Sequence, residues 1–352
     1  MKKNPHFSNT LKIWYLKNKR DLPWRQTKNP YEIWLSEIIL QQTRIAQGTA
    51  YYLKFLEKFP NIKLLAKAKE DDVLKLWQGL GYYSRARNLH KTAIYITENL
   101  QGEFPNNFKE LKKLKGVGDY TASAIASFCY NEATATVDGN VYRFLSRYFG
   151  ISTPINASKG MKEFKELAQS LIDNENPGDH NQAIMEFGAL VCKPNNPDCN
   201  ICPFENSCFA LDQDKIKFLP VKKNNVKIKK RYFNYLIINS KNQSTFIRQR
   251  TENDIWRNLY EFPLYESDNE IDIKEINNNP TFQKILANKS YHISKFNQKQ
   301  IIHKLTHQHL FTTFWIIETN DPIDRSVSWE KLSNFALPTL LQNFVDIYQK
   351  RD

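Results

Sequence analysis

Residues 111–128 read "LKKLKGVGDYTASAIASF". One helix ends, a Gly-x-Gly turn follows, and a second helix begins near Tyr120. Gly116 and Gly118 let the backbone approach a ligand closely and turn N–H groups outward at a helix start. That makes an anion site suited to a nucleic-acid phosphate. For the turn alone an ordinary corner between two helices is the better reading, and the charge of Lys112, Lys113 and Lys115 narrows the margin.

Outward from this turn the pattern stays helical up to about residue 210. In "NPYEIWLSEIILQQTRIAQGTAYYLKFLEKF", apolar residues recur at 31, 34, 35, 38, 39, 45 and 46, a period near 3.6. Further amphipathic stretches cover roughly 71–78, 84–99, 120–130, 139–149 and 161–172. Two carboxylates stand out among them. Glu37 lies beside its apolar stripe rather than opposite it, where desolvation favours the protonated form. Asp138, in "TATVDGNVYRF", precedes a helix and is first of all an N-cap, yet a cap can still offer an oxygen to a ligand at the helix mouth. Paired, the two would make the arrangement that cleaves glycosidic bonds through an oxocarbenium-like transition state.

Four of the five cysteines fall in "VCKPNNPDCNICPFENSCFA", residues 191–210, as Cys192, Cys199, Cys202 and Cys208. No signal-peptide core follows the basic N-terminus and no run of eighteen apolar residues occurs, so neither export nor a membrane span is expected. A cytoplasmic chain rarely forms disulfides, and clustered thiols then read as metal ligands, with Cys129 a lone buried thiol. The C-x6-C-x2-C-x5-C spacing leaves zinc and an iron–sulfur cluster both open.

Length and charge add two bounds. The 352 residues suggest about two domains, and 50 Lys+Arg against 37 Asp+Glu give a net charge of +13, which suits an anionic partner as well as simple solubility. The segment 215–231 carries eight basic residues and no acidic one, which predicts an extended linker. Beyond it "YFNYLIIN", "TFIRQR" and "LFTTFWIIE" read as strands, and "PTLLQNFVDIYQ" as a helix with Pro338 at its first position.

"LKGVGDYTA", "VDGN" and the cysteine loop, in this order and at these distances, resemble the helix-hairpin-helix DNA glycosylases that carry a 4Fe–4S cluster. "PWR", "WLSEIILQQT" and "GLGYYSRARNL" are similar to the adenine DNA glycosylase branch (MutY type). The endonuclease III branch, a bifunctional glycosylase and lyase, carries a lysine nucleophile where this chain has Tyr120, and a phenol forms no Schiff base. A non-catalytic iron–sulfur DNA-binding protein would not need both Glu37 and Asp138. The second part resembles a Nudix-like module: "FIRQRTENDIWRNLYEFP" matches, with Arg257 and Asn258 in place of glycines, and no pyrophosphohydrolase box is present. "HKLTHQHL", residues 303–310, resembles the loop that reads oxidised guanine, with Leu305 for its Phe and Thr306 for its Ser.

The resemblance implies a mostly α helix-hairpin-helix glycosylase domain over 1–210, a basic linker over 211–231, and an α/β Nudix-like lesion-recognition domain over 232–352. It implies a monofunctional, monomeric enzyme that hydrolyses adenine from double-stranded DNA where adenine is mispaired with 8-oxoguanine or guanine. By the same resemblance Glu37, Asp138 and Tyr120 are catalytic, and Cys192, Cys199, Cys202 and Cys208 hold one 4Fe–4S cluster. Arg25 and Gln182 hold the flipped adenine, Gln42 and Tyr82 probe or fill the gap it leaves, Gly116 and Gly118 anchor a phosphate, and Thr306 and His307 recognise 8-oxoguanine.

Overall fold

The computed structural model describes residues 5–223, 227–286 and 289–350. It divides into two compact units. The first takes the chain up to Ala68 and resumes at Arg87 to run through the cysteine loop to Asn224; the second takes Lys69–Ala86 and the chain from Asn225, so the boundary falls inside the basic segment. Residues 69–86, expected within the first domain, thus belong by packing to the second. Asp71 accepts from the Tyr260 hydroxyl (2.9 Å), Lys75 donates to the Phe335 carbonyl (3.0 Å), and Gln78 donates to Gln342 (2.6 Å).

The first unit is helical: α1 (Pro5–Asn18), α2 (Pro30–Leu40), α3 (Ile45–Lys58), α4 (Ile62–Lys67), then, after α5 (Glu70–Trp77) of the second unit, α6 (Ser84–Asn99), α7 (Phe108–Leu111), α8 (Asp119–Tyr130), α9 (Gly139–Phe149), α10 (Ser158–Leu171), α11 (Pro177–Leu190) and α12 (Phe209–Asp212). The stretch from 30 to 59, read as one apolar period, is two helices. Gln42 takes a left-handed backbone (φ 54°) and ends the run. α2 starts where Pro30 follows Asn29, whose side chain accepts from the Tyr31 N–H (3.0 Å). Ile33 through Ile39 are all buried, so α2 is a central helix rather than an amphipathic one, and Glu37 goes inside with it. A core of Phe7, Phe144, Phe187 and Phe204 binds α1, α9 and α11 to the cysteine loop.

The basic segment is not a free linker. Leu219 is buried, its carbonyl accepts from Arg147 (3.0 Å), and the Val221 carbonyl accepts from the Ile155 N–H (3.0 Å). Arg231 lies inside the second unit, 7% exposed, and forks onto Asp254 (2.7 Å) and Glu266 (2.6 Å). Residues 224–226 of the expected linker lie outside the described residues.

The second unit is mixed α/β, as expected. Its strands are β1 (Lys229–Ser240), β2 (Ser244–Thr245), β3 (Arg248–Gln249), β4 (Tyr260–Glu261), β5 (Leu264–Ser267), β6 (Tyr291–Lys295), β7 (Ile301–Lys304), β8 (Gln308–Thr319) and β9 (Val327–Ser328). β1 and β8 pair in parallel in full register, Lys229 opposite Gln308 through Ser240 opposite Thr319, at the centre of a seven-stranded sheet ordered β6-β8-β1-β2-β9. β5 adds to β1 and β7 to β8, both antiparallel. Side chains alternate faces along a strand. Phe233, Tyr235, Leu310 and Phe314 meet α15 (Thr339–Tyr348) on one face, and Leu236, Ile238, Trp315 and Ile317 meet α13 (Ile273–Asn277) and α14 (Pro280–Leu286) on the other. Pro338 stands at the N-cap of α15, one place before the expected position. Among the described residues no helix is long and apolar enough to cross a membrane.

Candidate active site

α2 packs on α8, and α11 packs on both α8 and α9. This brings Glu37, Tyr120, Asp138 and Arg25 within reach of one another's charge. Glu37 is 8% exposed. Burial pushes its carboxyl pKa up to about 7; the Tyr120 hydroxyl opposes the rise, the Asp138 carboxylate adds to it, and the Arg25 guanidinium opposes it again. A carboxyl titrating near neutrality holds a proton it can hand on. Tyr120, in the first turn of α8, directs its hydroxyl at the Met185 sulfur (3.3 Å), and burial holds its pKa well above the phenol range.

Asp138 is the N-cap that its sequence position predicts. Its Oδ1 accepts from the Asn140 and Val141 N–H groups (2.9 and 2.8 Å), and its Oδ2 from the Asn140 side chain (2.7 Å). Burial raises its pKa as well, while these donors and Arg143 pull it back. Burial thus raises both carboxyls, and Asp138 has three hydrogen-bond donors to set against it where Glu37 has the Tyr120 hydroxyl.

Arg25 and Gln182 line a neighbouring wall. Arg25 donates twice to Glu186 (3.0 and 2.8 Å) and once to the Arg20 carbonyl (2.9 Å). Arg20 closes on the same carboxylate with Nε (2.8 Å), Nη2 (2.6 Å) and its backbone N–H (2.9 Å). Tyr15 donates to Gln182 (2.8 Å), and the Arg25 guanidinium lies over the Tyr15 ring at 5.7 Å. Glu186, Arg20 and Tyr15 escaped the sequence reading. One signal was available: Gln182 and Glu186 stand four apart, on one face of α11.

At the hairpin, Gly116 takes φ +79°, and a Cβ there would meet the Asn88 side chain at 2.8 Å, so glycine is required. Gly118 caps α8 with an extended backbone. Two of the expected lysines are engaged locally: Lys112 with Asp119 (2.7 Å) and Lys113 with Glu110 (2.7 Å). Asp119 also receives Lys165 (3.1 Å), so the mouth of α8 carries a carboxylate already neutralised by two ammonium groups. Gln42 is exposed just beyond α2.

None of the five cysteines is in a disulfide, and Cys129 is half-buried rather than sealed. Cys192, Cys199, Cys202 and Cys208 line one cavity with Phe144, Phe187 and Phe204. Arg147 points its guanidinium at the Cys192 sulfur (3.6 Å). Burial raises the thiol pKa values of Cys192 and Cys199 and takes Cys202 up to about 12, so a metal group bound here displaces protons. Among the described residues no three His, Cys, Asp or Glu side chains converge on a single-ion site.

In the second unit Tyr82, half-exposed with φ 46°, shares a hydrogen bond of 2.7 Å with the Thr306 hydroxyl. Thr306 and the exposed His307 form the turn between β7 and β8, while Leu305 is half-buried against the core of that unit. Asn258, where a glycine was expected, keeps the left-handed backbone (φ 66°) that asparagine tolerates.

Residues 35–170 match the HhH-GPD superfamily base excision DNA repair protein family, and residues 234–346 the NUDIX domain family. The chain is 36% identical to the adenine DNA glycosylase of Buchnera aphidicola subsp. Baizongia pistaciae, over 98% of this chain and 97% of that protein. The chain belongs to the adenine DNA glycosylase family. To the adenine DNA glycosylase of Homo sapiens it is 43% identical over 58% of this chain and 39% of that protein. Among solved structures, a thermostable thymine-DNA glycosylase aligns with a TM-score of 0.55 at 31% identity, covering 59% of this chain and 96% of that one. Endonuclease III from a non-covalent DNA complex shares the fold at 21% identity, with a TM-score of 0.52, over 59% of this chain and 95% of its own. The helical architecture of this adenine DNA glycosylase is thus the one its hairpin motif implied, and the strand-rich second part matches a NUDIX domain as expected.

Proposed function

We propose that this chain, a base-excision repair glycosylase that removes adenine, acts monofunctionally and as a monomer on adenine mispaired with 8-oxoguanine or guanine in cytoplasmic double-stranded DNA. The observation that carries the reading is Glu37, buried on α2 with a pKa near 7 and within the field of Asp138. The glycosidic bond is unreachable within the duplex, so adenine first leaves the stack. Gln42 and Tyr82 probe or fill the gap, and the N–H groups of Gly116–Gly118 take a phosphate.

Arg25 and Gln182 hold the extruded base. Glu37 passes its proton to adenine N7; the C1′–N9 bond breaks with its electron pair going to the base, and a cationic sugar remains. The Asp138 carboxylate stabilises that cation. Water then adds to C1′ and its proton returns to Glu37, restoring the acid. Tyr120, fixed against Met185, orients the two carboxyls and offers no amine for a lyase step.

Cys192, Cys199, Cys202 and Cys208 would hold one 4Fe–4S cluster; four soft thiols lining one cavity with Phe144, Phe187 and Phe204 support a metal group there. Bound there, the cluster would supply iron–thiolate bonds to these four residues. Thr306 and His307 read the partner base, and the hydrogen bond between Thr306 and Tyr82 supports setting the residue that probes the gap beside the residues that read the base opposite it.

The test uses duplexes with adenine opposite 8-oxoguanine, guanine or thymine. Free adenine should be released fastest opposite 8-oxoguanine, leaving an abasic strand intact until alkali is added. Equal release from all three duplexes, or strand nicking without alkali, contradicts the reading.

A further inference from the structure

The face of the central sheet that carries α13 and α14 is only half covered. Those helices sit over Leu236, Ile238, Trp315 and Ile317, and the border is marked by buried Asn234, which accepts from the Trp315 indole N–H (3.1 Å) and donates to Ser267 (3.1 Å). At the other end of the same face the register places Tyr232 opposite Phe311, and Lys230 opposite His309. Ile302 and Lys304 of β7 stand opposite Phe311 and His309 and so point the same way. The rings of Tyr232 and Phe311 stack at 5.2 Å and 23°, both half-exposed, with the Lys230 ammonium 6.0 Å from the centre of Phe311. Lys304 and Ile302 are exposed.

Two features set this patch apart from a solvated sheet end. Its named charges are the ammonium groups of Lys230 and Lys304, and the carboxylate on the adjoining β5, Glu266, is turned to the opposite face and bound by Arg231 (2.6 Å). And it is continuous, through β7 and β8, with the turn that carries Thr306 and His307. A floor of ring edges between ammonium groups matches a sugar–phosphate strand, with apolar edges against deoxyribose and each lysine at a phosphate.

We propose that this aromatic and basic end of the sheet, centred on Tyr232, Phe311, Lys230 and Lys304, is a backbone-binding platform for the DNA strand flanking the base that the Thr306–His307 turn reads. The assignment rests on the proposed lesion-reading role of that turn and extends it from one base to its neighbouring nucleotides.

The full-length chain with Lys230→Gln and Lys304→Gln, both exposed positions, tests it. Kd is measured across a salt series on duplexes with adenine opposite 8-oxoguanine and opposite guanine. Loss of two phosphate contacts lowers the slope of log K against log salt by about 1.8. Kd should rise roughly tenfold or more at low salt, by the same factor for both partner bases. Trimming the duplex on the flank of the lesion strand should weaken wild type and leave the double variant little changed. Tyr232→Ser should weaken binding in the same base-independent way. If the slope and Kd of the double variant match wild type, the platform is overturned and the stacked rings serve only the sheet. A loss seen with 8-oxoguanine alone also overturns it, since the lysines would then act on base reading. If instead Thr306 and His307 variants leave discrimination intact while the slope falls here, the platform stands and the turn's assignment fails.

Discussion

Glu37 on α2 and Glu186 on α11 are both carboxylates withdrawn from water, 8% and 2% exposed, in walls of the same helical unit. Their acidities move in opposite directions. Burial acts first on both and favours the protonated form. For Glu37 burial prevails and the pKa reaches about 7. For Glu186 burial is overcome by hydrogen bonds from Arg20 and Arg25, and the pKa falls to about 2. The same side chain keeps its proton to near neutrality where burial dominates and stays charged as an anchor where two guanidiniums close on it. Anchoring has a purpose here: the five donors that bind Glu186 leave Arg25 fixed within the field of Glu37.

The contrast can be broken first at Glu37. Glu37→Gln keeps the shape and removes the transferable proton, so single-turnover adenine release should fall by roughly 10²–10⁴-fold while DNA binding is retained; a rate within threefold of wild type refutes the assignment. Next in size is Glu186→Gln, which strands two guanidiniums beside a neutral amide. With Arg20 about a third exposed, the expected loss in denaturant unfolding is about 3 kcal/mol, at the low end for a broken buried pair. Because the Glu186 pKa is lowered, its contribution is complete above the ordinary carboxylate range and disappears as pH falls toward 2. Wild type should therefore keep its full margin over the Gln variant at pH 6 and lose it in acid.

The sign reverses for Glu37. Its raised pKa means that the folded state is penalised as pH climbs from the ordinary carboxyl value through about 7. Glu37→Gln should consequently be more stable than wild type at pH 8, by about 3 kcal/mol, and nearly equal to it at pH 4.5. An inactive variant that melts later at pH 8 would identify the site as one where acidity is held at a cost in stability; equal melting at both pH values would show that the carboxyl is not desolvated. Smallest is the partner-base effect. Thr306→Val with His307→Ala should remove part of the preference for 8-oxoguanine, a few-fold to some tens-fold at about 0.5–1.5 kcal/mol per hydrogen bond. Competition between 8-oxoguanine and guanine duplexes measures it directly.

Much of the helical unit was legible because its signals are local. Asn29–Pro30 and Asp138 announce helix starts, and Gly116 announces a left-handed turn. The break at Gln42 was not legible, since apolar spacing continues across it and a left-handed glutamine has no composition signal. Transfer of α5 to the second unit was hidden for another reason: it is decided by Asp71, Lys75 and Gln78 meeting residues some 190 to 260 positions away. The same distance conceals the clamp, in which Arg20 and Arg25 find Glu186 across about 160 positions. The basic segment misled because charge suggests repulsion, whereas Arg231 is matched by Asp254 and Glu266, and Leu219 is held by backbone contacts.

The central claim is that burial makes Glu37 the acid. The most direct measurement is the pH dependence of single-turnover adenine release with enzyme in saturating excess over an adenine·8-oxoguanine duplex. With a Glu37 pKa of about 7, the rate should hold to near neutrality and then fall about tenfold per pH unit as the proton is lost, and this alkaline limb should be missing from the residual activity of Glu37→Gln. A wild-type rate that stays level from pH 6.5 to 9, or an alkaline limb that persists unchanged in Glu37→Gln, would contradict the account.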